Sequence, residues 1–355
     1  MARLFGQELS RSDLLERTGD ISQVAGVRRL RLAEGKEEGV GLVEVRTGTG
    51  LRYTVLPSRG LDVSFAEYKG IPLCWRSCTG DVSPQLYEPA GNGWHRSFYG
   101  GLVVTCGLTN VGAPGVDQGE ELGRHGRMSS TPAEAVYADG HWEEEEYHLI
   151  VQGKMRQAIF WGENLVLSRR IESRLGSSWL RIRDEVENRS FKSTPLMLLY
   201  HVNIGFPLLS RDSTILIPAG NTTAMDPSVS PASYSEFHDP RPEAPSQVYY
   251  HDAVADSQGL VNAALINERL QLGLALRYRK DQLKNLVQWK LLGQGGYVLG
   301  IEPANCHVEG RAAERARGTL EFLAPGETRR FELELGVLDS KTEIGDWKKK
   351  IERLT

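Results

Sequence analysis

From Gly41 onward, apolar and polar residues alternate with a period of two, run after run. Successive side chains of an extended strand point to opposite faces, so such runs build sheets with one face turned to a core. Ser178-Trp-Leu-Arg-Ile-Arg-Asp-Glu-Val-Glu-Asn188 is a long example, with Leu180, Ile182 and Val186 marking the buried face. Leu61, Val63 and Phe65 share a face in the same way. Val43 to Leu56 reads as a hairpin turning at Thr47-Gly-Thr-Gly50. The 38 glycines fall at short intervals, as turns between many strands would.

Further strands are expected at 145–151, 154–161, 164–174, 194–202, 260–267, 270–278, 285–291, 296–302, 318–323 and 328–337. About fifteen strands with few helices predict a mainly β fold, a large antiparallel sandwich. Residues 8–35 are read as helical, with Ser12 before Asp13, Leu14 and Leu15 as a start signal. A short C-terminal helix is expected over 340–352. The division predicted is an N-terminal helical segment over 1–40, one β domain over 41–340 and a C-terminal helix over 341–355. Two stretches break the pattern. Residues 81–127 are rich in Gly, Pro and Asn, and embedded Trp94, Phe98 and Tyr99 argue that they are ordered. Residues 219–250 carry five prolines and read as a surface excursion rather than a linker, because the strand patterns on both sides look alike.

Charge narrows the partners. The formal net charge of −4 gives no reason to expect nucleic acid or an anionic membrane. No apolar run approaches the roughly 20 residues that span a bilayer. The N-terminus shows no long apolar stretch of the kind that starts a secretory signal. Cys74, Cys78, Cys106 and Cys306 lack paired C-x-x-C spacing, so the expectation is free thiols in a reducing cytoplasm and no zinc site.

Two apolar runs end on titratable groups. Leu198-Leu-Tyr-His201 delivers an imidazole, followed by Asn203 and Gly205, and Tyr297-Val-Leu-Gly-Ile-Glu302 delivers a carboxylate. Each reads as a strand end opening to a cleft. A carboxylate on an apolar strand is costly to bury unless paired, and a salt bridge to Arg311 is the plainer reading of Glu302. A satisfied core histidine is the plainer reading of His201. Together they form a general acid–base pair of the kind that moves protons on a sugar hemiacetal. Arg59, Asp62, His125 and Arg127 form a second constellation, able to fork across adjacent hydroxyls, with an internal Arg59–Asp62 pair as the alternative. Asn305, His307, Glu309 and Arg311 are spaced by two and would project to one side if the strand continued past Glu302. Asp117, Glu120 and Glu121 upstream of His125 could hold a metal, but a polar loop is the reading preferred. Trp75, Trp94, Trp289 and Tyr200 are sized to stack on a sugar face, although such residues are more often core.

Four segments in order carry a family resemblance. They are Leu56-Pro-Ser-Arg-Gly-Leu-Asp-Val-Ser-Phe65, Gly123-Arg-His-Gly-Arg-Met128, Asp184-Glu-Val-Glu-Asn188 followed by Leu199-Tyr-His-Val-Asn-Ile-Gly-Phe206, and Gly300-Ile-Glu-Pro-Ala-Asn305. Their order and spacing resemble the aldose 1-epimerase (galactose mutarotase) superfamily, closest to its aldose 1-epimerase-like bacterial branch of unknown function. The resemblance spans about residues 40–337. It implies a galactose mutarotase-like β-supersandwich with short N- and C-terminal helices, and a cofactor-independent isomerase that interconverts sugar anomers. Carried over residue by residue, Glu302 is the base and His201 the acid. Arg59, Asp62, His125, Arg127, Asn203, Asn305 and His307 are the substrate contacts expected, with no metal and no cofactor. A non-catalytic sugar-binding protein, or another sugar isomerase or lyase using the same pocket, stands as the alternative. The partner expected is a small-molecule sugar, with neither nucleic acid nor membrane, and a homodimer is left open. The His-Gly segment is shorter than the family's, and residues 219–250 offer no match to its substrate-binding aspartate.

Overall fold

A computed structural model describes residues 1–354. Three antiparallel sheets account for most of the chain: one of five strands, one of eight and one of seven. The five-stranded sheet runs in chain order from Gly26–Arg31 to Ile71–Pro72, and the predicted hairpin lies within it, Arg46 facing Arg52 across the turn. The eight-stranded sheet joins Glu134–Glu143, Glu146–Ala158, Asn164–Arg174 and Trp179–Asn188 to Thr328–Leu338, then to Leu272–Arg279, Leu260–Asn267 and Ser213–Leu216. The runs expected at 145–151 and 154–161 are one strand of 13 residues, because Gly153 continues the ladder opposite Arg169 instead of turning.

The seven-stranded sheet carries the candidate site. Its strands are β1 (Val104–Leu108), β2 (Thr194–Gly205), β3 (Ala219–Ala224), β4 (Gln247–Ala253), β5 (Asn285–Leu292), β6 (Tyr297–Ala304) and β7 (Glu321–Leu323). The spatial order is β3-β4-β5-β6-β2-β7, and β1 also pairs with β2. Strand β2 is central and buried on both faces. Leu196, Leu198, Tyr200, Val202 and Ile204 enter the main core, together with residues of the other two sheets. Met197 and Leu199 face the opposite way, into a second apolar cluster with Trp94, Phe98, Cys106, Val287 and Ala304. Alternation alone then sends His201, Asn203 and Gly205 to that second face.

A buried charge network links the sheets. Arg169 donates to both oxygens of Asp184 at 2.9 and 2.6 Å and to Asp62 at 2.8 Å. The Tyr200 hydroxyl donates to Asp184 at 2.6 Å, and Thr105 donates its backbone N–H and its hydroxyl to Asp62 at 3.0 and 2.6 Å. Residues of all three sheets are thus tied to one guanidinium on the core face of β2, beside Tyr200 and on the side opposite to that of His201. Buried charges persist only when paired and hydrogen-bonded in this way.

The N-terminal segment differs from expectation. Only Arg11–Leu15 is α-helical, capped by Ser10 in a reciprocal box with Asp13 rather than by Ser12. Gly26–Arg31 is an edge strand, because pairing with Gly41–Arg46 outweighs whatever helical preference the segment has. The C-terminal helix, Lys341–Glu352, forms as predicted and lays Ile344, Trp347 and Ile351 on the outer face of the eight-stranded sheet. No described helix is long and apolar enough to cross a membrane. All four cysteines are free thiols.

Candidate active site

The register between β2 and β6 decides the site. Leu199 pairs with Ala304 and Val202 with Ile301, so His201 stands directly across from Glu302. Both side chains project from the same face, and His201 Nε2 lies 3.1 Å from Glu302 Oε1. The contact is close but is not aligned as a hydrogen bond, and Glu302 Oε1 has no hydrogen-bond partner in the protein. The pair sits in the interior of the two strands, not at their ends. Asn203 continues the ladder opposite Gly300, and β2 ends only at Gly205, opposite Val298, four residues beyond His201.

Glycine makes room at two points. A methyl at Gly300, two residues before Glu302 on the same face, would overlap Glu302 Oε1. The bare backbone there lets the carboxylate fold back towards His201. A methyl at Gly205 would stand 2.7 Å from the Trp75 backbone, so this glycine admits the indole-bearing segment.

Aromatic rings enclose the pair. The ring centres of Phe98, Trp289 and Trp94 lie 5.2, 5.4 and 6.4 Å from that of His201, and Trp75 packs on Phe98 and Trp289. His125 completes the enclosure, 5.7 Å from His201 and 4.5 Å from Trp94. Glu302 is 2 % exposed, His201 5 % and His125 8 %. Such burial penalises charge. It raises Glu302 well above the usual carboxylate range and holds His201 down to about 4. His125 is also held well below the ordinary imidazole value, by burial first and then by the neighbouring His201.

His125 owes its placement to a left-handed backbone, φ 55°, wedged between Gly107 and Gly112. The Gly112 N–H donates to its Nδ1 at 3.2 Å. A backbone amide can only donate, so Nδ1 carries the lone pair and Nε2 carries the hydrogen of the neutral ring.

Apart from Asn203, the other residues singled out from sequence lie elsewhere. Arg59 is fully enclosed and donates to three backbone carbonyls, of Ser129, Val82 and Ser97, at 2.5, 2.6 and 3.0 Å. Asp62 belongs to the Arg169 network. Neither presents surface to a ligand, and they form no ion pair with each other. Their residue types suit forking across hydroxyls, but partners distant in sequence saturate them. Arg127 is exposed and lines a neighbouring cavity of about 690 Å³, which Gly126 and Tyr87 also line and which does not include the His201–Glu302 pair. Asn203 is enclosed beside His201, with both amide hydrogens on backbone carbonyls. Asn305 accepts from Leu198 N–H at 2.7 Å and donates to Leu196 O at 3.0 Å, stapling β2 from outside the pocket. β6 ends at Ala304 and a helix begins at Arg311, so the two-residue spacing beyond Glu302 projects to no common side. His307 instead packs on Tyr250, ring centres 4.4 Å apart.

Arg311 does not pair with Glu302. It binds Asp117 at 2.7 Å and also Glu120, and Arg315 takes the remaining Asp117 oxygen. Among the described residues, no three His, Cys, Asp or Glu side chains gather as a metal site. Of the aromatic candidates, Trp94 and Trp289 face His201, Trp75 packs behind them on Phe98 and Trp289, and Tyr200 points into the main core. Phe98 and Gly300 were missed as site residues. The two-residue spacing from Gly300 to Glu302 is the signal that could have marked the glycine.

Comparison with known proteins adds to this geometry. A family model described as "Domain of unknown function (DUF4432)" matches residues 37–337. No curated protein matches the chain. Among solved structures, a Klebsiella pneumoniae protein described as a "putative aldose 1-epimerase" is similar at 23% identity and a TM-score of 0.87, covering 98% of this chain and 91% of that one. A galactose mutarotase-like protein from Clostridium acetobutylicum shares 14% identity over 88% of this chain and 98% of its own, with a TM-score of 0.61. Galactose 1-epimerase from Lactobacillus acidophilus shares 14% over 88% and 99%, with a TM-score of 0.56. At these identities the likeness is one of fold: the chain has the galactose mutarotase-like architecture, mainly β.

Proposed function

The chain belongs to the DUF4432 family, and we propose that it is a cofactor-independent aldose mutarotase acting in the cytoplasm. The observation that carries the reading is the buried cross-strand pair, His201 Nε2 at 3.1 Å from Glu302 Oε1 within an aromatic enclosure. The names borne by its structural neighbours agree with it, and its four unpaired cysteines suit a reducing compartment.

Anomer exchange needs one group to remove the O1 proton while another protonates the ring oxygen. The C1–O5 bond then breaks to an open-chain aldehyde. Rotation about C1–C2 presents the other carbonyl face, and reclosure returns both protons. Burial disfavours charge on either partner, so the resting pair holds one proton between two neutral groups. Transfer across the 3.1 Å contact gives the carboxylate and imidazolium from which opening starts, with Glu302 as base and His201 as acid. A positioned acid or base typically contributes ~10²–10⁴-fold. The His125 Nε2–H is a neutral donor for a sugar oxygen, and the surrounding rings offer apolar faces to its C–H groups.

The test measures anomer exchange by NMR saturation transfer across free pentoses, hexoses, deoxysugars and sugar phosphates. Glu302→Gln and His201→Asn should each abolish exchange while calorimetry still detects binding. The double variant should lose little more than either single one, because the two act as a unit. Full exchange in Glu302→Gln would remove Glu302 from the mechanism. A sugar that binds the wild type but is never exchanged would make this a binding protein.

A further inference from the structure

We infer that Asn203 is a positioning residue whose Oδ1 holds the Nδ1–H of His201, fixing the tautomer that turns Nε2 towards Glu302. The inference rests on the acid–base reading of that pair and adds what orients it.

His201 and Asn203 are two apart on β2, and the strand sends both to the same face. Asn203 is 0 % exposed. Its Nδ2 donates to Gly101 O at 3.1 Å and to His201 O at 2.9 Å, which uses both amide hydrogens. Those two carbonyls also settle which way the amide lies, since the flipped amide would set oxygen against oxygen twice. The backbone is anchored as well, with Asn203 O accepting from Trp75 N at 3.0 Å. Asn203 Oδ1 is therefore fixed in place, buried, and without a donor. His201 Nδ1 is likewise buried without a partner. Buried polar atoms are rarely left unpaired, and here one member can only accept while its neighbour on the strand can donate. Pairing the two satisfies both atoms at once. The nearby side chain of Asn203 also favours the protonated ring, against the larger opposing effect of burial.

The arrangement has a chemical consequence. An imidazole with hydrogen on Nδ1 keeps it whether the ring is neutral or protonated. The bond to Asn203 then survives the whole cycle, and every proton passes through Nε2, the nitrogen facing Glu302. An amide oxygen serves this better than a carboxylate would, because it accepts without titrating and leaves His201 readily deprotonated. His125 is held in the opposite tautomer by Gly112 N–H, which supplies an internal reference.

The experiment uses the full chain labelled with [15N]histidine. Long-range ¹H–¹⁵N spectra report each ring's tautomer, and loss of signals in His201→Asn assigns the resonances of His201. The expected result near neutral pH is a protonated Nδ1 and bare Nε2 at His201, with the reverse at His125. A protonated Nε2 in neutral His201 overturns the inference; the tautomer is read on the wild type, and the folded His201→Asn variant serves only to assign it. In Asn203→Asp the acceptor becomes a carboxylate, and the His201 titration should move up by about one pH unit or more. In Asn203→Leu a mixture of tautomers should appear, with kcat lower by roughly ten-fold or more and KM little changed. An unmoved titration and an unmixed tautomer in these two variants would also overturn it. The spectra do not depend on turnover. If no aldose is exchanged but Nδ1–H is found, the positioning stands and the mutarotase reading falls; exchange with Nε2–H leaves the mutarotase reading and removes the positioning.

Discussion

Gly300→Ala isolates the placement of the Glu302 carboxylate from its chemistry. The glycine has ordinary strand geometry, so alanine is no strain on the backbone. The added methyl, however, would overlap Glu302 Oε1, stand 3.2 Å from Glu302 Cδ and lie 3.1 Å from the Trp289 Cβ. The Trp289 side is backbone-proximal and cannot yield, whereas the carboxylate is the end of a flexible chain. Clearing the methyl to normal contact takes about 1 Å of carboxylate movement. That stretches the 3.1 Å approach to His201 to about 4 Å, beyond direct proton transfer. A misplacement of this size costs about 10²-fold in rate. The stability cost should be smaller than that of a rigid overpacked core, about 1–2 kcal/mol, because one side chain can swing away. The assay is anomer exchange on whichever aldose the wild type turns over, beside thermal unfolding of both proteins. A folded Gly300→Ala protein exchanging at the wild-type rate would refute the argument that this carboxylate must lie against His201.

Three further outcomes follow from the same structure. Arg169→Met would leave Asp62 and Asp184 buried without their cation, and urea unfolding should show a loss of about 3–5 kcal/mol; a loss under about 1 kcal/mol would mean that the network is better solvated than its burial implies. Arg59→Lys keeps the charge but not the planar fork across three carbonyls, so stability should fall by about 2 kcal/mol while the KM for sugar holds; a raised KM at unchanged stability would return Arg59 to the substrate. His251 is buried between Thr222 and Gln288 and held down to about 4 by burial. Its folded value lies below its unfolded value of 6.5, so the stability it confers is present above pH 6.5 and is lost as pH falls towards 4. Over that window the wild type should lose on the order of 3 kcal/mol more than His251→Gln, read as the difference in pH slope of unfolding.

Much of this architecture is legible in the chain itself. A period of two assigns strands and their faces wherever one face is buried, so Leu180, Ile182 and Val186 could be placed inward from sequence alone. The same parity puts His201 with Met197 and Leu199, and Glu302 with Gly300 and Ala304, on one side of their strands. Parity is local: it says which face a residue takes but not which strand lies beside it. That β6 pairs with β2, with His201 opposite Glu302, depends on contacts about a hundred residues apart, chosen by how three sheets jointly bury their apolar faces. The N-terminal segment shows the same limit from the other side, since Gly26–Arg31 becomes a strand only because Gly41–Arg46 lies open to pair with it. Arg59 and Asp62 show it for charge. Nothing near them in sequence reveals that Val82, Ser97, Ser129 and Arg169 will take up their hydrogen bonds. Residue type determined what chemistry the chain could carry, and tertiary packing decided which groups were left unsaturated to perform it, because a buried polar atom takes whatever partner the fold brings within reach.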